Sequence, residues 1–279
     1  MIINGCVFMI NKKMNSNICK LCTIKNADKR NSHIIPKFLC KSLFDSTIYR
    51  NLKVIYDNGK VENKQDTPKE NFIFCTNCEK RFEIIETYFA SIIKDIHNYN
   101  ALPNKFRHII KDKIIECDNI NAILFRLFVF SLIWRTSVSN LNEFEKFKIP
   151  NEIEEKLRQF LDSHLDITLQ GLLSSVDSKE QTTEYHICLI KPNVKETPSG
   201  GVLSAVSTTE KCHILMLVDF ALFFIVDDES LVPEMQVLSN KNKSKVIIGL
   251  GDNSEWRQMN RLFVNYPPTI DNSKLNNCH

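Results

Sequence analysis

The sequence predicts an α+β fold in three parts: a metal-binding N-terminal region of short strands and loops, a helical middle, and a C-terminal region carrying an antiparallel sheet. Three observations predict it. Two Cys-x-x-Cys pairs, Cys19 with Cys22 and Cys75 with Cys78, enclose a turn-rich stretch. Apolar residues then recur at three- and four-residue steps, as on one face of a helix. Beyond about Ser174 the chain changes to runs of β-branched and aromatic residues broken by Pro, Gly and Asp, a composition that suits strands. These switches divide the chain into an N-terminal domain over residues 18–98 and a second domain, helical and then α+β, over 99–279.

Charged residues at 25% and apolar residues at 43% are those of an ordinary globular chain, and 279 residues suffice to bury a sizeable core. The formal charge of +3 is unevenly spread: residues 1–41 hold eight Lys or Arg and a single acid, Asp28, giving +7 there and −4 elsewhere. A basic segment beside a metal site suits a phosphate backbone, and solvated lysines are the plainer account. The opening MIINGCVFMI has neither the preceding positive charge nor the cleavage site of a signal peptide. The apolar runs near 120–134 and 212–226 are interrupted by Arg126 and Asp219 and fall short of the ~20 residues of a spanning helix. No membrane association is expected, and a cytoplasmic setting is. Of ten cysteines, four form the two pairs, which in a cytosolic chain point to metal; Cys6, Cys40, Cys117, Cys188, Cys212 and Cys278 read as reduced thiols.

In chain order, residues 1–17 read as a loose leader, with Met9 or Met14 as alternative starts. Leu52–Tyr56 followed by Asp57-Asn58-Gly59 is the best hairpin signal. Phe82, Ile85, Phe89, Ile92, Ile93 and Ile96 mark a long helix starting at the second cysteine pair. Pro103 breaks that run, and another helix is expected from about Asn104 to Ile115. Asn119 to Ser139 is apolar on nearly all faces and should be a buried central helix, closed by a core Trp134 and a snorkelling Arg135, with an Arg135 that reaches DNA or stacks as the alternative. Pro150 suits a first helical turn, so Asn151 to Leu173 continues helically. Strands are expected at Tyr185–Ile190, Cys212–Val218, Ala221–Val226 and Val246–Ile248, with Gly249-Leu250-Gly251 as a turn. The histidines outside the N-terminal region show no ligand spacing, and Lys241, Lys243 and Lys245 form a basic loop open to nucleic acid or to solvent.

Four thiolates bind Zn²⁺ tetrahedrally in closed structural sites, and a two-residue spacer turns both sulfurs of a pair toward one ion. The 52 residues between Cys22 and Cys75 leave room for an insertion with its own strands. Within it stands Ser32-His33-Ile34-Ile35-Pro36, and before the second pair Asn71-Phe72-Ile73-Phe74, with Glu79 directly after Cys78. Over residues 18–90 this order resembles the HNH endonuclease family, in the subgroup whose ββα-metal motif is built on a four-cysteine treble clef. The resemblance implies a metal-dependent endonuclease hydrolysing DNA phosphodiester bonds, with structural Zn²⁺ on Cys19, Cys22, Cys75 and Cys78 and catalytic Mg²⁺ or Mn²⁺. It makes His33 the general base, Asn71 the residue that holds the catalytic loop and orients His33, and Glu79 a ligand of the catalytic metal. Stand-alone proteins of this resemblance are often tied to phage defence or mobile elements.

Where the family places an acid or His before its base, this chain has Ser32, a weak cation ligand. Glu83 and Glu86, four and seven residues beyond Glu79, are the acids placed to substitute, with Glu86 preferred because it lies two turns along the same helix face. The other account makes them surface acids, makes His33 a structural histidine, and makes the whole a catalytically degenerate zinc module binding nucleic acid or a protein. In the nuclease reading the remaining two thirds would sense, dock or regulate, with a protein partner or activator, or a small ligand that switches the nuclease on, as the expected contact.

Overall fold

The computed structural model describes residues 17–40, 52–55, 61–178, 184–193 and 202–264. The leader up to residue 16, the Asp57-Asn58-Gly59 turn, Cys6 and Cys278 lie outside the described residues. Four short strands precede the first long helix: β1 (Ser32–His33), β2 (Leu52–Ile55), β3 (Val61–Lys64) and β4 (Lys69–Glu70). β2 and β3 form the expected hairpin, with Leu52 opposite Lys64 and Ile55 opposite Val61. The chain then returns so that β4 pairs antiparallel with β1, setting Ser32 opposite Glu70 and His33 opposite Lys69.

Helix α1 (Thr76–His97) opens at the second cysteine pair and buries the predicted stripe of Phe82, Ile85, Phe89, Ile92, Ile93 and Ile96. After it the expected second helix is absent. Residues of that span form a hairpin of β5 (Phe106–Ile110) and β6 (Ile114–Cys117), with Ile110 opposite Ile114. The reason is local: paired β-branched isoleucines on either side of Lys111-Asp112-Lys113 favour strands, and Asp112 takes the left-handed conformation (φ 57°) that closes a three-residue hairpin loop.

Helix α2 (Ala122–Val138) is the predicted central helix, buried at every residue except Ile123. Phe128 stacks on Phe89 of α1 with ring centroids 4.4 Å apart. Phe130, on the same helix, meets Phe160 at 5.7 Å and Phe224 at 6.2 Å edge to face, so α2 is covered on several sides at once. Asn121 caps it, its Oδ1 accepting from the N–H groups of Ile123 (2.9 Å) and Leu124 (3.1 Å). Asn121→Ala is therefore expected to cost about 1 kcal/mol in urea unfolding; an unchanged midpoint would show that the cap contributes nothing.

The single helix expected over Asn151 to Leu173 is two, α3 (Asn151–His164) and α4 (Leu169–Ser178). Thr168 ends the continuity, because its Oγ1 accepts from Gly171 N at 3.0 Å and starts a new helix as an N-cap. Strands β7 (His186–Pro192), β8 (Leu203–Thr209), β9 (Cys212–Leu217) and β10 (Ala221–Ile225) follow. A short helix α5 (Pro233–Gln236), strand β11 (Val246–Gly251) and helix α6 (Asn253–Val264) complete the described chain. They build a seven-stranded sheet of order β5-β6-β11-β7-β10-β9-β8. Every neighbouring pair is antiparallel except β11 with β7. The segment Gly249-Leu250-Gly251, expected as a turn, is buried strand. A Cβ at Gly249 would stand 3.1 Å from both methyls of Leu238, so the glycine admits a packed leucine rather than a turn.

The lysines of the basic loop are paired at the surface. Lys241 pairs with Asp228 at 2.7 Å, Lys245 with Glu116 at 3.2 Å and with Asp118, and Lys243 Nζ donates to Val237 O at 3.1 Å. One apolar core runs from Cys19 and Leu21 beside the cysteines, through α1 and α2, to Val246, Ile248 and Leu250 in the sheet. Among the described residues no helix is long and apolar enough to cross a membrane.

Candidate metal centre and histidine loop

The four cysteines of the two pairs meet. Their sulfurs all lie within 4.8 Å of one another, and Cys22 Sγ stands 4.0 Å from Cys75 Sγ. Zinc–sulfur bonds of about 2.3 Å place tetrahedral sulfurs about 3.8 Å apart, so the donor set, its spacing and its closure by four thiols fit a structural zinc. Local backbone builds each half. Thr23 N donates to Cys19 O at 2.9 Å to close the first knuckle. Cys75 is the N-cap of α1 and its sulfur accepts from Cys78 N at 3.4 Å. Asp28, the one acid of the basic segment, accepts from Thr76 N at 2.6 Å and so faces the positive end of α1. The hydrogen bond with Cys78 pulls the Cys19 thiol down to about 4, and that same bond with burial pushes the Cys78 thiol up. Crowded sulfurs sharing protons in this way are relieved by a dication.

The metal centre is tied to the rest of the molecule by three cations. Lys20 Nζ donates to Val138 O at 2.5 Å, at the end of α2. Arg158 Nη1 of α3 donates to Leu21 O at 2.7 Å. Arg81, buried on α1, places Nη1 3.8 Å from Cys78 Sγ and 2.7 Å from Asp162 Oδ1, and its Nε donates to Leu165 O at 2.9 Å.

His33 stands half-buried on β1, its Nδ1 2.7 Å from the buried Thr67 hydroxyl. The tautomer in which Nδ1–H donates to Thr67 leaves Nε2 with the lone pair. Burial, followed by the charge of Lys69, holds the imidazole pKa below its ordinary value. Asn71 Oδ1 accepts from Asn31 N at 2.9 Å, fixing the left-handed turn (φ 57° at Asn31) that leads into Ser32 and His33. Glu79 is half-buried one residue beyond the last cysteine, and Glu83 is exposed. Glu86 accepts from Arg135 Nη1 at 2.5 Å, and burial pushes its carboxyl up against the opposing pull of that arginine. Ser32 is wholly buried, and its hydroxyl has no hydrogen-bond partner among the described residues.

Thr67 and Arg135 were not legible as site residues. Arg135 does not snorkel: it is 2% exposed, packs its guanidinium over Phe82 at 4.8 Å, and donates to His33 O at 3.1 Å as well as to Glu86. An arginine in a helix with no solvent face was the available signal, since such a charge must find partners inside. Glu70, opposite Ser32, accepts from Ser139 Oγ at 2.7 Å and Asn140 N at 3.1 Å, so the end of α2 holds both strands of the β1–β4 pair. His186, between Ser239 Oγ (2.8 Å) and Asp228 Oδ1 (2.7 Å), ties β7 to the loop before β11; its serine is buried. Comparisons of the chain with protein-family models, with curated proteins and with solved structures give no match.

Proposed function

We propose that this chain is a metal-dependent, HNH-type endonuclease acting on DNA, with the four-cysteine site as its structural zinc centre. One observation carries the reading: an antiparallel strand pair leading into α1 sets His33 on its first strand, the Asn71 side chain across the turn before it, and Glu79 just past the last zinc-ligand cysteine. In this reading His33 Nε2 takes a proton from water as the water oxygen attacks phosphorus and the P–O bond to the leaving oxygen breaks. Thr67 and the carbonyl contact from Arg135 hold the ring's strand in place, and Asn71 fixes the turn. A divalent Mg²⁺ or Mn²⁺ held at Glu79 would neutralise charge on the leaving oxygen. The donor set for that ion is short: Ser32 is buried and Glu86 is engaged by Arg135, which leaves Glu79, the exposed Glu83 one turn on, and substrate oxygens.

The same shortage favours a second reading, a degenerate zinc module that binds nucleic acid or a protein without cutting. Because Ser32 is buried, an aspartate introduced there would strain the core rather than restore a ligand.

Supercoiled plasmid with Mg²⁺ or Mn²⁺ separates the readings. Metal-dependent nicking is expected to fall about 10²- to 10⁴-fold in His33→Ala. With the imidazole held low, the acid limb of the rate profile should lie below the usual histidine value, since protonation of Nε2 removes the base. Equal cleavage by wild type and variant would place the activity elsewhere, and an inert wild type would leave the binding module.

A further inference from the structure

Phe72 is held in a conformation that a large side chain avoids, with φ at 58°. The residue is 40% exposed, although Ile73 and Phe74 beside it are buried. The hydrogen bond from Phe72 N to Lys29 O, 2.8 Å, belongs to the backbone and any residue could make it. The ring's own gain is Arg30, whose guanidinium carbon stands 5.4 Å from its centroid. In the chain beside it, residues 17–40 carry Lys20, Lys25, Lys29, Arg30 and Lys37 against Asp28, whose carboxylate faces the start of α1; Lys20 is engaged by Val138 O and Lys37 by Asp66. Strain kept at an exposed aromatic marks a surface suited to contact with something else.

An aromatic face joined to an arginine, with Lys29 bonded to it through the backbone, offers stacking for a base and attraction for its phosphates. Stacked duplex bases hide their faces, so a ring of this kind selects unpaired ones. Arg30 precedes His33 by three residues, at most about 11 Å of chain, which sets the platform beside the proposed base. We infer that Arg30 and Phe72 form a base-stacking platform that takes a single-stranded segment of nucleic acid beside His33. The inference rests on the nucleic-acid reading above and narrows its substrate to DNA containing unpaired bases.

The test uses the zinc-loaded full chain and a short fluorescent oligonucleotide, offered single-stranded and annealed to its complement, with binding read by anisotropy. The wild type should prefer the single strand. Phe72→Gly, which suits a positive φ, should melt no lower than wild type yet lose about tenfold or more in single-strand affinity, while Phe72→Trp retains binding. A merely structural ring would do the opposite, lowering the melting temperature and leaving binding intact, and that result overturns the platform. Equal binding of duplex and single strand, unmoved by Phe72→Gly, overturns it while leaving the nuclease reading in place. Binding of neither form by the wild type sinks both.

Discussion

Stripping the metal with a strong chelator is expected to unfold far more than the N-terminal knuckle. Elemental analysis of freshly purified protein should give one zinc per chain. Structural zinc sites contribute an apparent ~10–16 kcal/mol at neutral pH, comparable to the entire ~5–15 kcal/mol that holds a domain folded. Here the four sulfurs sit in the same apolar core as α1, α2 and the sheet. The end of α2 takes Lys20, α3 sends Arg158 to Leu21 O, and Arg81 joins Cys78 to the end of α3. Losing the ion frees the sulfurs and with them these anchors, so a chelator should produce cooperative loss of circular dichroism rather than a small local change. Cys78→Ser should behave as the stripped protein does. Cys40→Ser is the control, a buried thiol whose burial pushes it up to about 12 and which lies outside the cluster. A chain that purifies without zinc, or that keeps its melting temperature in chelator, would remove the metal centre. Acid should act in the same direction, because protons compete with zinc for the thiolates.

The four-cysteine cluster was readable because two Cys-x-x-Cys pairs state their members in the sequence itself. The long helices were readable for a related reason: burial on one face leaves a period, as in Phe82 to Ile96, and burial on all faces leaves an uninterrupted apolar run, as in α2. The failures share a physical origin in short-range competition. Phe106 to Cys117 has enough isoleucine to suit either a helix or a strand, and the left-handed Asp112 decided for the hairpin. Thr168 divided α3 from α4 through one side-chain hydrogen bond that periodicity cannot register. Strand β8 (Leu203–Thr209) went unrecognised because it lies at the sheet's edge, where serine and threonine replace the apolar alternation of an inner strand.

Around His33 the legible part was what the family resemblance named by position. Asn71, expected to hold the loop, does bond Asn31 two residues before His33. Thr67, 34 positions away, had no pattern to announce it. The acids followed helix geometry, which puts Glu79, Glu83 and Glu86 on neighbouring turns, but helix geometry says nothing of what packs opposite. The residue opposite Glu86 is Arg135, 49 positions away.

Replacing that arginine should have the largest effect of any single substitution outside the cysteines. Arg135 is 2% exposed and joins three elements: Nη1 reaches Glu86 on α1 at 2.5 Å and His33 O on β1 at 3.1 Å, and Nε reaches Ser131 O on its own helix at 3.2 Å. Arg135→Met keeps much of the apolar contact with Phe82 but leaves Glu86 without its partner, and breaking a buried pair from one side costs about 3–5 kcal/mol. The unpaired His33 carbonyl adds a loss of about 1–3 kcal/mol. Removing both charges, Glu86→Leu with Arg135→Met, should recover the ion-pair part, since an apolar pair of similar size is often as stable as a buried salt bridge. It should not recover the carbonyl part, because no donor returns to His33. The double-mutant cycle in urea therefore has a definite signature: strong coupling between positions 86 and 135, and a residual deficit relative to wild type. Additive single effects would show that the pair is solvated and that Arg135 acts by packing alone. Full recovery in the double variant would show that the His33 contact contributes nothing to stability, and the β1 strand would then owe its position to Thr67 and Asn71.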